Sequence, residues 1–306
     1  MRHGRKGPMV TRAMRDHATA PKARYIRPTR TLKKSGSLGH SSPPPLSPEV
    51  QAVFDRMGAL TNNEARAIES MVDGMVADFT YQNVFEIWAP CLNSQDHLTG
   101  FKIFGASEIN VIGSVTHFSG DGVRIGNATS GWLMNTSFNS IGLPDYDNSG
   151  AFFYYTNEGS YNAGANNDYC GLTAGVGEEA YIRNRDEGSS FDIDSSWNQT
   201  AATPRVATVG LLHEDLCGWG TETGAESLVM HPGGIIDSAA RTFGTPNVAQ
   251  FCWMGRNNGG TPEFSPVGMH RFFMFVDKPS GGTILLIRSR VLQFLRDIGV
   301  KGVPAP

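Results

Sequence analysis

From residue 91 to residue 276 the chain is a succession of short apolar-rich runs separated by clusters of turn residues, and this pattern constrains the fold more than any other feature. The spacing predicts strands at 110–117, 151–156, 179–183, 206–212, 227–230, 248–254 and 270–276. Turn signals fall between them at Gly120-Asp121-Gly122, Asp147-Asn148-Ser149-Gly150, Asn257-Asn258-Gly259-Gly260 and Gly281-Gly282. Many short strands at such intervals imply an antiparallel sandwich or jelly roll. The run 272–276 is apolar on both faces, as a strand buried between two layers would be. No repeat of 20–50 residues is visible, which argues against a propeller or solenoid. A hydrophobic share of 40% supports a packed core and excludes wholesale disorder. No run of 18 apolar residues occurs, so a membrane-spanning helix is excluded, and no signal-peptide pattern opens the sequence.

Ahead of this body the periodicity is helical. Ser47 suits an N-cap, Pro48 the first helical position, and Val50, Val53, Phe54 and Met57 repeat at i, i+3, i+4 and i+7, with Gly58 as a stop. Thr61 and Glu64 then have the spacing of a capping box. Ile68, Met71, Val72, Met75, Val76 and Phe79 continue as one apolar stripe, giving a second helix of about four turns. Val84, Phe85, Ile87 and Trp88 should lead into the body and pack against that stripe. At the far end, Ile284, Ile287, Val291, Phe294, Leu295 and Ile298 mark a closing helix that Gly299 terminates. It should cover one edge or face of the sandwich.

The net charge of −3 hides an asymmetry. Residues 1–48 hold eleven basic side chains (Arg2, Arg5, Lys6, Arg12, Arg15, Lys22, Arg24, Arg27, Arg30, Lys33 and Lys34) against one acid, Asp16, for a charge of +10. The remaining 15 basic and 28 acidic residues give −13. The segment has few large apolar residues and runs into Pro43-Pro44-Pro45, so alone it cannot offset its ordering entropy. It reads as an anchoring arm that orders on an acidic protein surface. Nucleic acid is the less favoured partner, because Tyr25 is the one aromatic interleaved with the charges. The expected organisation is thus an arm at 1–47, a helical neck at 48–90 and a sandwich with its closing helix at 91–306.

Several stretches together resemble a family of tailed-bacteriophage structural proteins. They are the box within Met57-Gly58-Ala59-Leu60-Thr61-Asn62-Asn63-Glu64, then Phe85-Glu86-Ile87-Trp88-Ala89-Pro90, and the turn Phe118-Ser119-Gly120-Asp121-Gly122. Met254-Gly255-Arg256-Asn257, the strand at 271–276 and Phe294-Leu295-Arg296-Asp297-Ile298-Gly299 complete the order. The resemblance covers roughly residues 48–300. It implies a concanavalin A-like (lectin/glucanase, LamG-type) jelly roll in a virion component, such as a tail fibre, tail tip or capsid decoration. Such a protein is assembled in the bacterial host cytoplasm, forms homo-oligomers and can meet host-surface glycans; the arm lies outside the resemblance, and its charge fits a segment that touches other virion proteins through residues 1–47.

Related sandwiches hydrolyse polysaccharides, so catalysis has to be weighed. A retaining glycosidase needs two carboxylates about 5–5.5 Å apart. The E-x-D-x-E strand pattern of the glucanase relatives is absent here. Asp192 and Asp194 would share a strand face; Asp186-Glu187 and Glu214-Asp215 are the other acidic groups. No nucleophile elbow, P-loop or dinucleotide fingerprint occurs, so the expectation is a non-enzymatic protein without a cofactor. A polysaccharide-degrading tail enzyme is the alternative. Asp145 and Asp147 outline at most a fragment of a calcium loop, short of the 6–8 oxygens calcium takes. For glycan stacking the candidates are Tyr155, Tyr161 and Trp219, the last on a loop, with core burial the competing reading. Cys91, Cys170, Cys217 and Cys252 are far apart and are expected to be reduced, mostly buried thiols.

Overall fold

The computed structural model describes residues 45–303 except 56, 58–59, 94–100, 103–108, 126–130, 140–149, 157–166, 174–178, 187–190, 200–205, 210–214, 221–225, 232–234, 241–249, 259–260, 264–267 and 278–279. The basic arm lies outside the described residues. Residues 45–306 form one unit, mainly β, with a layer of three helices. No described helix is long and apolar enough to cross a membrane.

The first sheet runs in the order β14 (Ile235–Ala240), β13 (Glu226–His231), β12 (Asp215–Gly220), β7 (Gly150–Thr156), β18 (Met269–Asp277), β1 (Val84–Trp88) and β2 (Phe101–Lys102). A hairpin of β4 (Val115–Phe118) and β5 (Gly122–Ile125) joins it where β5 pairs with β18. The second sheet runs β11 (Val206–Val209), β10 (Phe191–Gln199), β9 (Glu179–Asp186), β8 (Asn167–Thr173), β15 (Gln250–Trp253), β6 (Gly131–Asn139) and β3 (Ile109–Gly113). β16 (Arg256–Asn258) and β17 (Thr261–Glu263) extend it from β8. Every described pairing is antiparallel except that of β16 with β8. That exception follows from the chain reversing at Met254-Gly255, where Met254 takes a left-handed φ of 63°. The expected antiparallel sandwich is therefore what the chain forms.

The sheets face each other through aromatic packing. Trp253 of the second sheet meets Trp88 of the first edge-on at 4.9 Å and stacks on Phe273 at 5.2 Å. β18 sits centrally in its sheet, and its residues 269–276 are all buried. Side chains alternate along a strand, so Phe273 points to the opposing sheet while Phe272, Met274 and Val276 point away from it.

On that outer face lie α1 (Pro48–Phe54), α2 (Asn62–Ala77) and α3 (Gly281–Asp297). Val50, Val53, Ile68, Met71, Val72 and Met75 from the first two helices share one core with Ile87, Phe153, Phe272 and Met274 of the sheet. α3 adds Ile284, Ile287, Val291, Phe294 and Leu295, the residues its periodicity marked. Within the segment 48–90, α1 and α2 thus lie as a layer on the sheet, and Val84–Trp88 enters the sheet as β1. α2 and α3 run antiparallel, with Asn63 Nδ2 donating to Asp297 O at one end and Arg290 Nε to Asp78 Oδ2 at 2.7 Å towards the other.

Two expectations change. The run 110–117 is two strands: β3 belongs to the second sheet and β4 to the first, with the crossing at Gly113 (φ 75°) and Ser114. The apolar stripe of α2 does not reach Phe79. The helix ends at Ala77, Val76 is 36% exposed and Phe79 is 80% exposed with a φ of 57°.

Candidate functional site

The best-defined polar cluster lies where the helix layer, the β4–β5 hairpin and β18 converge. It begins at the capping box. Thr61 Oγ1 accepts from Glu64 N, and Glu64 Oε2 accepts from Thr61 N at 2.8 Å. The other carboxylate oxygen, Glu64 Oε1, accepts from Asn93 N at 2.6 Å. The helix start is thereby tied to the segment that follows β1. Burial alone would push the Glu64 carboxyl up, but the hydrogen bonds from Thr61 and Asn93 outweigh it and hold the group below its ordinary value.

From Asn93 the network passes to the hairpin turn. Ser119 Oγ donates to Asn93 Oδ1 at 3.0 Å, and His117 Nε2 lies 3.0 Å from both Pro90 O and Leu92 O. Two carbonyl acceptors require His117 to carry its proton on Nε2. Arg271 Nη2, on a side chain 4% exposed, donates to Asp121 Oδ1 at 2.6 Å, and its Nη1 donates to Met269 O.

These contacts give the Phe118-Ser119-Gly120-Asp121-Gly122 sequence a physical reading. Gly120 takes a φ of 72°, where a side chain is disfavoured. A Cβ on Gly122 would sit 2.5 Å from His270 O, so the close approach of β5 to β18 requires glycine. Asp121 then anchors the turn to Arg271. The arrangement is a three-way clasp; both carboxylates are committed to neighbours rather than opposed across a cleft.

The candidates of the sequence are scattered. Tyr155 is fully buried on β7, in the core shared with Phe153 and Phe272. A ring without an exposed face cannot stack on a sugar, which removes it as a glycan platform. Trp219 lies in β12, opposite Leu228 and Ala151, rather than on a loop. Tyr161, Asp145, Asp147 and the eleven arm residues lie outside the described residues. Asp192 and Asp194 do occupy one strand, β10, two positions apart. The register sets them opposite Arg185 and Arg183 of β9, a pattern of cross-strand opposite charges. Among the described residues no group of three His, Cys, Asp or Glu is placed to hold a metal. Cys91 and Cys252 are buried free thiols, and burial pushes the Cys91 thiol above its ordinary range.

Sequence reasoning found Glu64 as a cap but not its bond to Asn93. It also missed the Asp121–Arg271 pair, 150 residues apart in the chain, for which no local signal exists.

No family model and no curated protein matches the chain. Among solved structures it is similar to a Trypanosoma rangeli sialidase complexed with 2,3-difluorosialic acid, at 12% identity and a TM-score of 0.46, covering 71% of this chain and 34% of that one. It is also similar to the binding domain of botulinum neurotoxin DC in complex with rat synaptotagmin II, at 13% identity and a TM-score of 0.46, covering 68% and 52%. A third likeness is to the CBM40 of a Ruminococcus gnavus IT-sialidase, at 13% identity and a TM-score of 0.37, covering 55% and 95%. The chain thus spans about a third of the sialidase. The fold assignment rests on the two sheets themselves.

Proposed function

We propose that this protein is a non-enzymatic structural component of a phage particle, a tail-fibre, tail-tip or capsid-surface protein anchored by its basic arm. The observation that carries the reading is the division of charge. An arm of +10 precedes a body of −13, and such an arm suits an acidic protein surface in an assembled particle. The body supports the same reading in its construction. In its clasp, Glu64 ties the helix layer to the segment after β1 and Asp121 ties the hairpin turn to β18, as a load-transmitting module would. In this reading the sandwich is displayed outward as a lectin-like domain, and host-surface glycans are met through residues other than Tyr155.

The test uses full-length protein in which the arm residues Arg12, Arg15, Lys22, Arg24, Arg27, Arg30, Lys33 and Lys34 are replaced by Gln. Incorporation into purified particles, counted by quantitative mass spectrometry, should fall at least about tenfold, the equivalent of 1.4 kcal/mol. Undiminished incorporation contradicts the anchoring role. Release of oligosaccharide from host capsule or lipopolysaccharide by the wild-type protein would instead favour a polysaccharide-degrading tail enzyme. DNA affinity that falls steeply with salt and vanishes in the Gln variant would favour contact with nucleic acid.

A further inference from the structure

The charge of the body is not spread evenly over its sheets. In the first sheet β14, β13, β12 and β7 are consecutive strands. These strands and the residues that flank them, 140–166 and 210–240, hold eight acidic side chains and no Lys or Arg. That is −8 of the −13 carried by residues 49–306, whose other 20 acids are accompanied by 15 basic residues. The rest of the same sheet is different: β18, β2 and β5 bring Arg271, Lys102 and Arg124.

The register shows which side of these strands is open. Phe153 and Tyr155 of β7 are buried in the core under the helices. Tyr155 stands opposite Asp215 and Phe153 opposite Cys217 on β12, and Cys217 stands opposite Met230 on β13. Directly opposed positions share a face, so all of these lie on the helix side of the sheet. Two and four positions back along β13, Leu228 and Glu226 share that face and pair with Ser238 and Ala240 of β14. Ser238 and Ala240 are both exposed. The outer face is thus covered at β7 and open at β14, with Asp215 and Glu226 placed on it.

We propose that the outer face of β12, β13 and β14 is the docking surface for the basic arm of a second copy of the chain. The proposal rests on the reading of the arm as an anchor for an acidic protein surface, and it names that surface. Bodies that each carry −13 repel one another. An arm of +10 laid from one copy onto the −8 half-sheet of the next offsets most of that repulsion, leaving the −3 of the whole chain. Arm and face are different surfaces, so the contact is head-to-tail. Each copy gives one arm and takes one, and assembly continues into a ring or filament instead of stopping at a two-fold dimer.

Sedimentation velocity on the full-length protein from about 1 to 100 µM, at about 0.05 M and about 0.5 M salt, reads the association. Wild type should assemble beyond a dimer at low salt and dissociate at high salt. Glu214→Gln, Glu222→Gln, Glu226→Gln and Asp237→Asn together should weaken assembly at least about tenfold. Glu49→Gln, Asp55→Asn and Glu69→Gln together, on the helix layer, should change it less than about twofold. The arm variant with eight Gln should not self-associate. Mixed with the acid-face variant it should form a one-to-one complex that grows no further, since one partner supplies the intact face and the other the intact arm. A wild-type protein that stays monomeric throughout overturns the inference, whether its arm binds another virion protein or its own body. Loss of the Gln variant from particles would in that case still uphold the anchoring role. Equal weakening by the helix-layer exchanges overturns the inference too, and so does a mixture in which no complex forms.

Discussion

The two faces of β18 are packed in different styles. Towards the helices, Phe272, Met274 and Val276 meet a mostly aliphatic and methionine-rich surface contributed by three helices. Towards the opposing sheet, Phe273 stacks on Trp253, which in turn meets Trp88 edge-on. Flexible aliphatic and methionine side chains fill the helix-facing side, whereas flat rings on the other pack between the two sheets. One strand supplies both cores through alternate residues. The helix layer and the sandwich are therefore packed as one unit around this strand.

The largest expected effects fall on this shared strand. Phe273→Ala should cost about 3–5 kcal/mol and Met274→Ala about 2–5 kcal/mol in denaturant unfolding. Loss on either face should destabilise helices and strands together; a Met274→Ala protein whose helices melt while its tryptophan signal is unchanged would break the comparison.

Next comes the clasp that joins the two regions. Gly122→Ala forces β5 away from the His270 carbonyl and should cost about 2–3 kcal/mol in the same assay. Glu64→Ala strands Asn93 N and removes the reciprocal half of the capping box, the bond from Thr61 N, for about 2 kcal/mol. Its pH dependence has a definite sign. The folded-state pKa lies below the ordinary 4.5, so the contribution is complete above that value and is lost as pH falls through the folded value. The stability gap between wild type and Glu64→Gln should thus narrow as pH drops below 4.5. A gap that widens would sink the assignment of Glu64 as an ionised tie.

The smallest effect is expected at Gly74. Alanine there gains helix propensity of up to about 1 kcal/mol but displaces the Arg290 side chain from Asp78. The bidentate pair lowers the Asp78 carboxyl through the hydrogen bond from Arg290, so a shift of Asp78 titration towards its ordinary value in Gly74→Ala would register the displacement.

The helices were the most legible part of the sequence because their ends carry chemistry of their own. Ser47 accepts from Val50 N, and Thr61 with Glu64 forms the full capping box, both where spacing placed them. The exit from α2 was misread for the complementary reason: with Phe79 where glycine would signal a stop, the i, i+3, i+4 pattern runs on past the true end. Strands were legible where they are apolar, as β7, β13 and β18 are. Polar strands such as β8 and β10 carry Asn, Asp or Ser in place of an apolar alternation and give little intrinsic signal, although β9 pairs with both as their neighbour in sequence. The candidate site divides in the same way. Glu64 was visible through a local motif, whereas Arg271 acquires its partner Asp121 through the fold alone.

Equilibrium unfolding of the full-length protein followed by two probes tests the single-body account most directly. All five tryptophans (Trp88, Trp132, Trp197, Trp219 and Trp253) lie on strands, so their fluorescence reports the sandwich, while the 222 nm ellipticity is weighted towards the helices. The account predicts coincident transitions with one midpoint. Helical signal lost at clearly lower denaturant than tryptophan signal would show a neck that folds apart from the sandwich, and would contradict it.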